Sequence, residues 1–117
     1  MKDQQKRLKA AERAFNKYKK KFGLVEYTCY FEEKEMEEED TFAGITVFEE
    51  AYVAHITLNT NLSEDAEKLY NAERIGKHEA IHLLVHRLTW LGVSRETSIE
   101  ALWQEDERLT MLLEKII

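Results

Sequence analysis

The sequence predicts a single α+β domain over residues 1–117: an N-terminal helix, a small three-stranded and mostly antiparallel sheet, a long helix carrying His78 and His82, and a C-terminal helix. Three observations lead there. Apolar residues recur at helical spacing near both ends and again after residue 63, whereas residues 24–59 are rich in β-branched and aromatic residues with stretches of strict alternation. A length of 117 residues is that of one domain, enough for one hydrophobic core without disulfides. No internal repeat or linker divides the chain.

The first element follows from Leu8, Ala11, Phe15, Tyr18 and Phe22, which share one face of a helix. Residues 1–22 carry nine Lys or Arg against Asp3 and Glu12, about +7, so the remainder carries about −13 to reach the net −6. A basic helix on an acidic body is largely self-neutralising, so no nucleic-acid partner is expected despite Lys19, Lys20 and Lys21. After Gly23, residues 24–31, 41–48 and 51–59 read as strands. The acidic run from Glu32 to Asp40 reads as a solvated hairpin loop between the first two strands, because consecutive carboxylates without turn glycines do not close a cation shell. In the third strand Tyr52, Ala54, Ile56 and Leu58 alternate with Val53, His55, Thr57 and Asn59, so one face meets the core.

Ser63 is a good helix N-cap, followed by Glu64 and Asp65 at the positive end of the dipole. The helical stretch after it is one long element or two broken near Gly76, with Ile81, Leu84 and Leu88 as its core-facing stripe. A last helix is expected from about Glu96 to Ile117. Cys29 is the sole cysteine, which excludes an internal disulfide and suits a reducing compartment; its ordinary role is a small buried side chain. The N-terminus lacks the apolar core of a signal peptide, and no stretch has the 18 apolar residues of a membrane span, so a soluble cytoplasmic protein is expected.

The chemistry concentrates in His78-Glu79-Ala80-Ile81-His82, which fits H-E-x-x-H. Residues four apart lie on one helical face, so both imidazoles reach one metal ion while Glu79 points about 100° away. That offset suits a general base, which must sit beside a metal-bound water without occupying a coordination position. Shuffling this composition produces the pattern with a probability of roughly 2%. The plain alternative is a pair of polar residues at the edge of a buried helix.

A catalytic zinc needs a third protein ligand, with the fourth position left to water. Glu96, Glu100, Glu105, Asp106 and Glu107 all lie downstream. On a wheel centred on Leu109, Leu112, Leu113 and Ile116, Glu105 and Asp106 fall about 40° and 60° from the apolar centre, while Glu100 and Glu107 face away. Both Glu105 and Asp106 remain candidates. His86 is a poor third histidine, because positions 78, 82 and 86 span about 12 Å along one axis, far for a single ion with bonds of about 2 Å, and it fits better as an oxyanion donor or a partner to a ligand.

The run from His78 to Leu84, followed some twenty residues later by the acidic helix from Asp106 to Ile117, resembles small phage-encoded zinc peptidases of gluzincin type. In plan it is similar to the minimal ImmA/IrrE-like and SprT-like metallopeptidases, with the order helix, small sheet, zinc helix, final helix. The resemblance covers most of the chain as architecture, but only the H-E-x-x-H run is specific. It implies a minimal zincin-like domain, Zn²⁺ held by His78, His82 and Asp106, Glu79 as catalytic base, a protein or peptide substrate, and residence in the host cytoplasm if phage-encoded. In such families the closing ligand is usually Glu, placed before apolar positions at +3 and +7. Asp106, with Leu109 and Leu113 following, is a departure that keeps Glu105 in play. An extended substrate would lie along a sheet edge, for which the segment 51–59 is the candidate. The rival reading is a non-catalytic binding or regulatory protein that keeps the fold.

Overall fold

The computed structural model describes residues 2–93 and 98–116. The chain runs through α1 (Lys2–Lys21), β1 (Thr28–Lys34), β2 (Ala43–Phe48), a 3-10 turn (Glu49–Ala51), β3 (Val53–Asn59), α2 (Glu64–Lys68), α3 (Ala72–Val93) and α4 (Ile99–Ile116). This is the α+β layout expected, and its three-stranded sheet is mixed.

Four helix termini are set by their local chemistry. Helix α1 closes in a Schellman motif: Gly23 takes φ 71°, the Gly23 amide donates to the Lys20 carbonyl, and the Leu24 amide donates to the Lys19 carbonyl. Ser63 caps α2 by accepting from the Ala66 amide, Asn71 caps α3 by accepting from Arg74, and Ser98 caps α4 by accepting from Ala101. The break in the helical stretch after Ser63 therefore falls at Leu69–Asn71, and α3 runs through Gly76 unbroken. The expected start of the last helix near Glu96 lies outside the described residues.

Strand order is β1-β3-β2, with β1 parallel to β3 and β2 antiparallel to it. Two expectations change as a result. The acidic stretch is not a hairpin loop, since β3 lies between the strands it joins: Glu32, Glu33 and Lys34 extend β1, and residues 35–42 cross the end of β3. Nor is the segment 51–59 a sheet edge, because β3 is central and the edges are β1 and β2. The alternation along β3 could not distinguish these cases. A strand's pattern fixes which face is buried but not which neighbours it has.

The crossover is fastened by Asn59. Its buried amide accepts from the Met36 and Asn61 backbone N–H groups and donates to the Glu38 and Thr41 carbonyls. Three of these bonds join the loop to the end of β3 and the fourth holds the chain as it leaves that strand, so this amide substitutes for the turn residues the acidic run lacks.

Ala54, Ile56 and Leu58 face inward as expected. Cys29 and Phe31 from β1 and Ile45 and Val47 from β2 line up beside them. Against that face pack Phe15 from α1, Ala80, Leu83 and Leu84 from α3, and Leu109 from α4. Ile81 departs from the expected stripe and is 36% exposed. The reason is the α1–α3 crossing: a Cβ built on Gly76 would lie 2.6 Å from the Ala11 carbonyl oxygen, the Ala14 Cβ and the Phe15 nitrogen. Gly76 and Ala80 must face α1, and that rotation turns Ile81 outward.

Gly76→Ala sets a helix-propensity gain of at most about 1 kcal/mol against overlap with two backbone atoms, which cannot move aside cheaply. We expect a net loss of about 1–3 kcal/mol in denaturant unfolding. Gly92, in the same helix, has nothing within 4 Å of its built Cβ, and Gly92→Ala should stabilise by about 0.5–1 kcal/mol. Equal effects at the two positions would contradict the crossing described.

Candidate metal centre

The α1–α3 contact fixes the rotation of α3 and with it the direction of each side chain in the H-E-x-x-H run. His78 and His82 point away from the core and are exposed. Their Nε2 atoms lie 3.1 Å apart, with rings 4.6 Å between centroids and nearly perpendicular. Two nitrogens on a tetrahedral zinc with bonds of about 2.0–2.1 Å are separated by about 3.3 Å. The pair thus has the spacing of two ligands to one ion; between free imidazoles it equally fits one N–H···N hydrogen bond.

Glu79 turns the other way, toward β2, and is 4% exposed. Its Oε2 is buried with no hydrogen-bond partner in the structure. Burial pushes its carboxyl above the usual carboxylate range, and His78 nearby opposes that rise. His78 and Glu79 both line an open cleft of about 410 Å³, walled by Thr41, Phe42, Ala43, Leu69, Asn71, Arg74 and Ile75. Its chemistry is an apolar wall, an amide, a guanidinium and a carboxyl whose pKa burial raises.

The structure does not bring the downstream carboxylates to this pair. Asp106 is exposed on α4, where its backbone carbonyl accepts from the Thr110 hydroxyl at 2.8 Å. Glu105 is buried, as its wheel position predicts, but it is held by Arg108, with Nη2–Oε1 at 2.6 Å and Nε–Oε2 at 3.0 Å, and lies 4.0 Å from Arg87 Nε. Among the described residues no three His, Cys, Asp or Glu side chains are grouped so as to share a metal ion. A helical wheel gives direction about a helix's own axis. It does not show that α4 meets α3 beside Arg87, more than a turn beyond His82 and on another side of that helix. Glu100 is also exposed, and Glu96 lies outside the described residues.

His86 takes a role the sequence did not suggest. Its Nδ1 lies 3.0 Å from Oε2 of Glu49, a carboxylate buried in the turn between β2 and β3. Oε1 of Glu49 accepts from the Tyr27 hydroxyl at 2.5 Å and lies 3.6 Å from Arg87 Nη1. The Tyr27 phenol is pushed well up, first by burial and then by its bond to Glu49. This network pins the β2–β3 turn to α3, with Tyr52 in the left-handed region at φ 54° completing the turn. No periodicity marks Glu49, because its burial depends on partners distant in sequence. Cys29 is half-buried with its thiol pushed up by burial, an ordinary core margin.

Two stability predictions follow from these buried groups. A carboxyl whose folded-state pKa is raised binds its proton more readily in the folded than in the unfolded chain, so folding is penalised as pH rises through the raised value. In chelator-treated protein Glu79→Gln should therefore be more stable than wild type at neutral pH, with the gain shrinking on acidification and vanishing below the ordinary carboxylate range. A gain that persisted at low pH would exclude this origin. Glu49→Ala leaves the buried Tyr27 hydroxyl unpaired and should cost about 1–3 kcal/mol in equilibrium unfolding.

Compared with protein-family models, curated proteins and solved structures, the chain gives no match.

Proposed function

We propose that this chain is a zinc-dependent peptide-bond hydrolase of minimal zincin plan. The observation carrying this reading is the convergence of His78 and His82 Nε2 to 3.1 Å beside Glu79, whose Oε2 is buried without a hydrogen-bond partner. Zinc bound there would supply Lewis acidity and an acidified water. His78 and His82 hold the ion through Nε2. Glu79 takes a proton from the attacking water and passes it to the leaving amine, and a carboxyl whose pKa burial raises suits that exchange better than an ordinary one. The cleft provides a largely apolar wall for a substrate side chain. Substrate pairing shifts from β3 to β2, an edge strand beginning at the cleft wall, along which an extended peptide could add. The shell needs one more ligand than the described residues bring to it; Asp106 and Glu105 remain the proposed donors, and either would require α4 to approach the histidines.

That missing ligand favours a second reading, a non-catalytic binding protein of the same plan. No helix among the described residues is long and apolar enough to cross a membrane, and residence in the cytoplasm remains part of the proposal.

One set of variants separates the readings. Loaded with zinc and dialysed, the wild-type chain should retain one equivalent by elemental analysis, and His78→Ala or His82→Ala should lose it. Glu79→Gln should keep the metal and lose at least about 100-fold in cleavage of a peptide library. Failure to retain zinc sinks the hydrolase reading, whereas tight zinc with no cleavage selects the binding protein.

A further inference from the structure

The sheet has a second face, and no helix of the described chain covers it. Its outward side chains form rungs across the three strands: Thr28, Val53 and Phe48; then Tyr30, His55 and Thr46; then Glu32, Thr57 and Gly44. Tyr30 is 54% and Phe48 52% exposed. Both rings flank His55, with centroids 5.3 and 5.6 Å away, giving a continuous aromatic row. Beside this row an open trough of about 830 Å³ has a floor of small residues, Gly44, Thr46 and Thr57, and an acidic wall of Glu32, Glu35 and Glu37 against the single ammonium of Lys34. Glu32 is oriented by the Thr57 hydroxyl, which donates to it at 3.2 Å. Exposed aromatic side chains in a row are unusual on a monomer surface and mark interaction sites.

We propose that this outer face docks a basic, extended segment of another protein, with arginine or lysine heads set against Glu32, Glu35 and Glu37 and aliphatic stems lying over the Tyr30–His55–Phe48 row. Charge complementarity selects the occupant. Three carboxylates with one cation repel phosphates and acidic peptides, and aromatic faces attract guanidinium and ammonium groups. Spacing selects its form. Glu32 lies one two-residue repeat, about 7 Å, along β1 from Tyr30 in the ring row, which is also the separation of alternate side chains in an extended strand. A second copy of this chain, offering its basic α1, is the competing occupant. Part of that helix is already committed, since Arg7 pairs with Glu67 at 2.6 Å and Lys17 with Glu73 at 2.9 Å.

The test uses ¹⁵N-labelled full chain titrated with a capped octapeptide of alternating Arg and Ser, and with its Glu–Ser counterpart. Amide shifts should move in residues 28–37, 44–48 and 53–57 with the Arg peptide alone. The double variant E35K/E37K changes two exposed side chains that make no core contact, and should weaken binding by about tenfold. Phe48→Ala should weaken it several-fold, and Glu64→Lys on α2 should leave it unchanged. Shifts that cluster around His78, equal response to the acidic peptide, or an unaltered E35K/E37K would each overturn the proposal. So would concentration-dependent self-association without peptide that moves both α1 and the outer face, since the occupant would then be a second copy.

Discussion

The contact on which the rest of the molecule depends is the approach of α1 to α3 at Gly76. With 2.6 Å between a notional Cβ and two backbone atoms of α1, no side chain fits. The helices touch backbone to backbone, and α3 can rotate little without losing that contact or creating overlap. Its rotation fixes what the H-E-x-x-H run presents: Ala80, Leu83 and Leu84 toward the core, Glu79 toward β2, His78 and His82 outward. Geometry at the candidate metal centre is thus inherited from a glycine two residues before it, which touches none of the chemistry.

The sheet contributes the other half of the cleft, and buried polar side chains set its connections. A chain without proline, with two of its four glycines inside helices, must shape its long connections by other means. Asn59 uses both ends of one amide to hold the acidic crossover, and Glu49 ties the β2–β3 turn to His86 and Tyr27. Both are fully enclosed acceptors with several partners, the condition under which a buried polar group organises structure at small net cost. Because the crossover ends in Thr41 and Phe42 and leads into Ala43 of β2, the Asn59 clamp also positions the cleft wall beside Glu79.

What was legible in the sequence and what was not divides along physical lines. Periodicity depends on neighbours within one element, so the buried stripe of α1, the inward face of β3 and the capping of α2 by Ser63 could all be read in advance. So could the pairing of His78 with His82, a property of one helix. Strand order depends on contacts between segments far apart, and the alternation of β3 is the same at an edge as at the centre. Where the candidate third ligands lie was not legible for a related reason: Glu105 does turn inward, yet it meets Arg108 and Arg87 because the level at which α4 crosses α3 is set by packing that no wheel contains. Ile81 was misread because an all-apolar view of α3 ignored that a small residue, Gly76, marks the tightest contact.

Among the places where the molecule departs from folding economy are the two where function is proposed, alongside others such as the buried, unpartnered Tyr70 hydroxyl and the exposed Leu69 and Trp103. Glu79 buries a carboxylate oxygen without a partner, which raises its pKa and opposes folding at neutral pH. The outer sheet face leaves Tyr30 and Phe48 in water, where covering them would stabilise the chain. Elsewhere the same sequence caps three helices with side chains, closes a fourth terminus with a Schellman motif and satisfies every bond of the Asn59 amide. A carboxyl that must exchange a proton has to be poorly stabilised as an anion, and rings that must stack on a partner have to be bare without it.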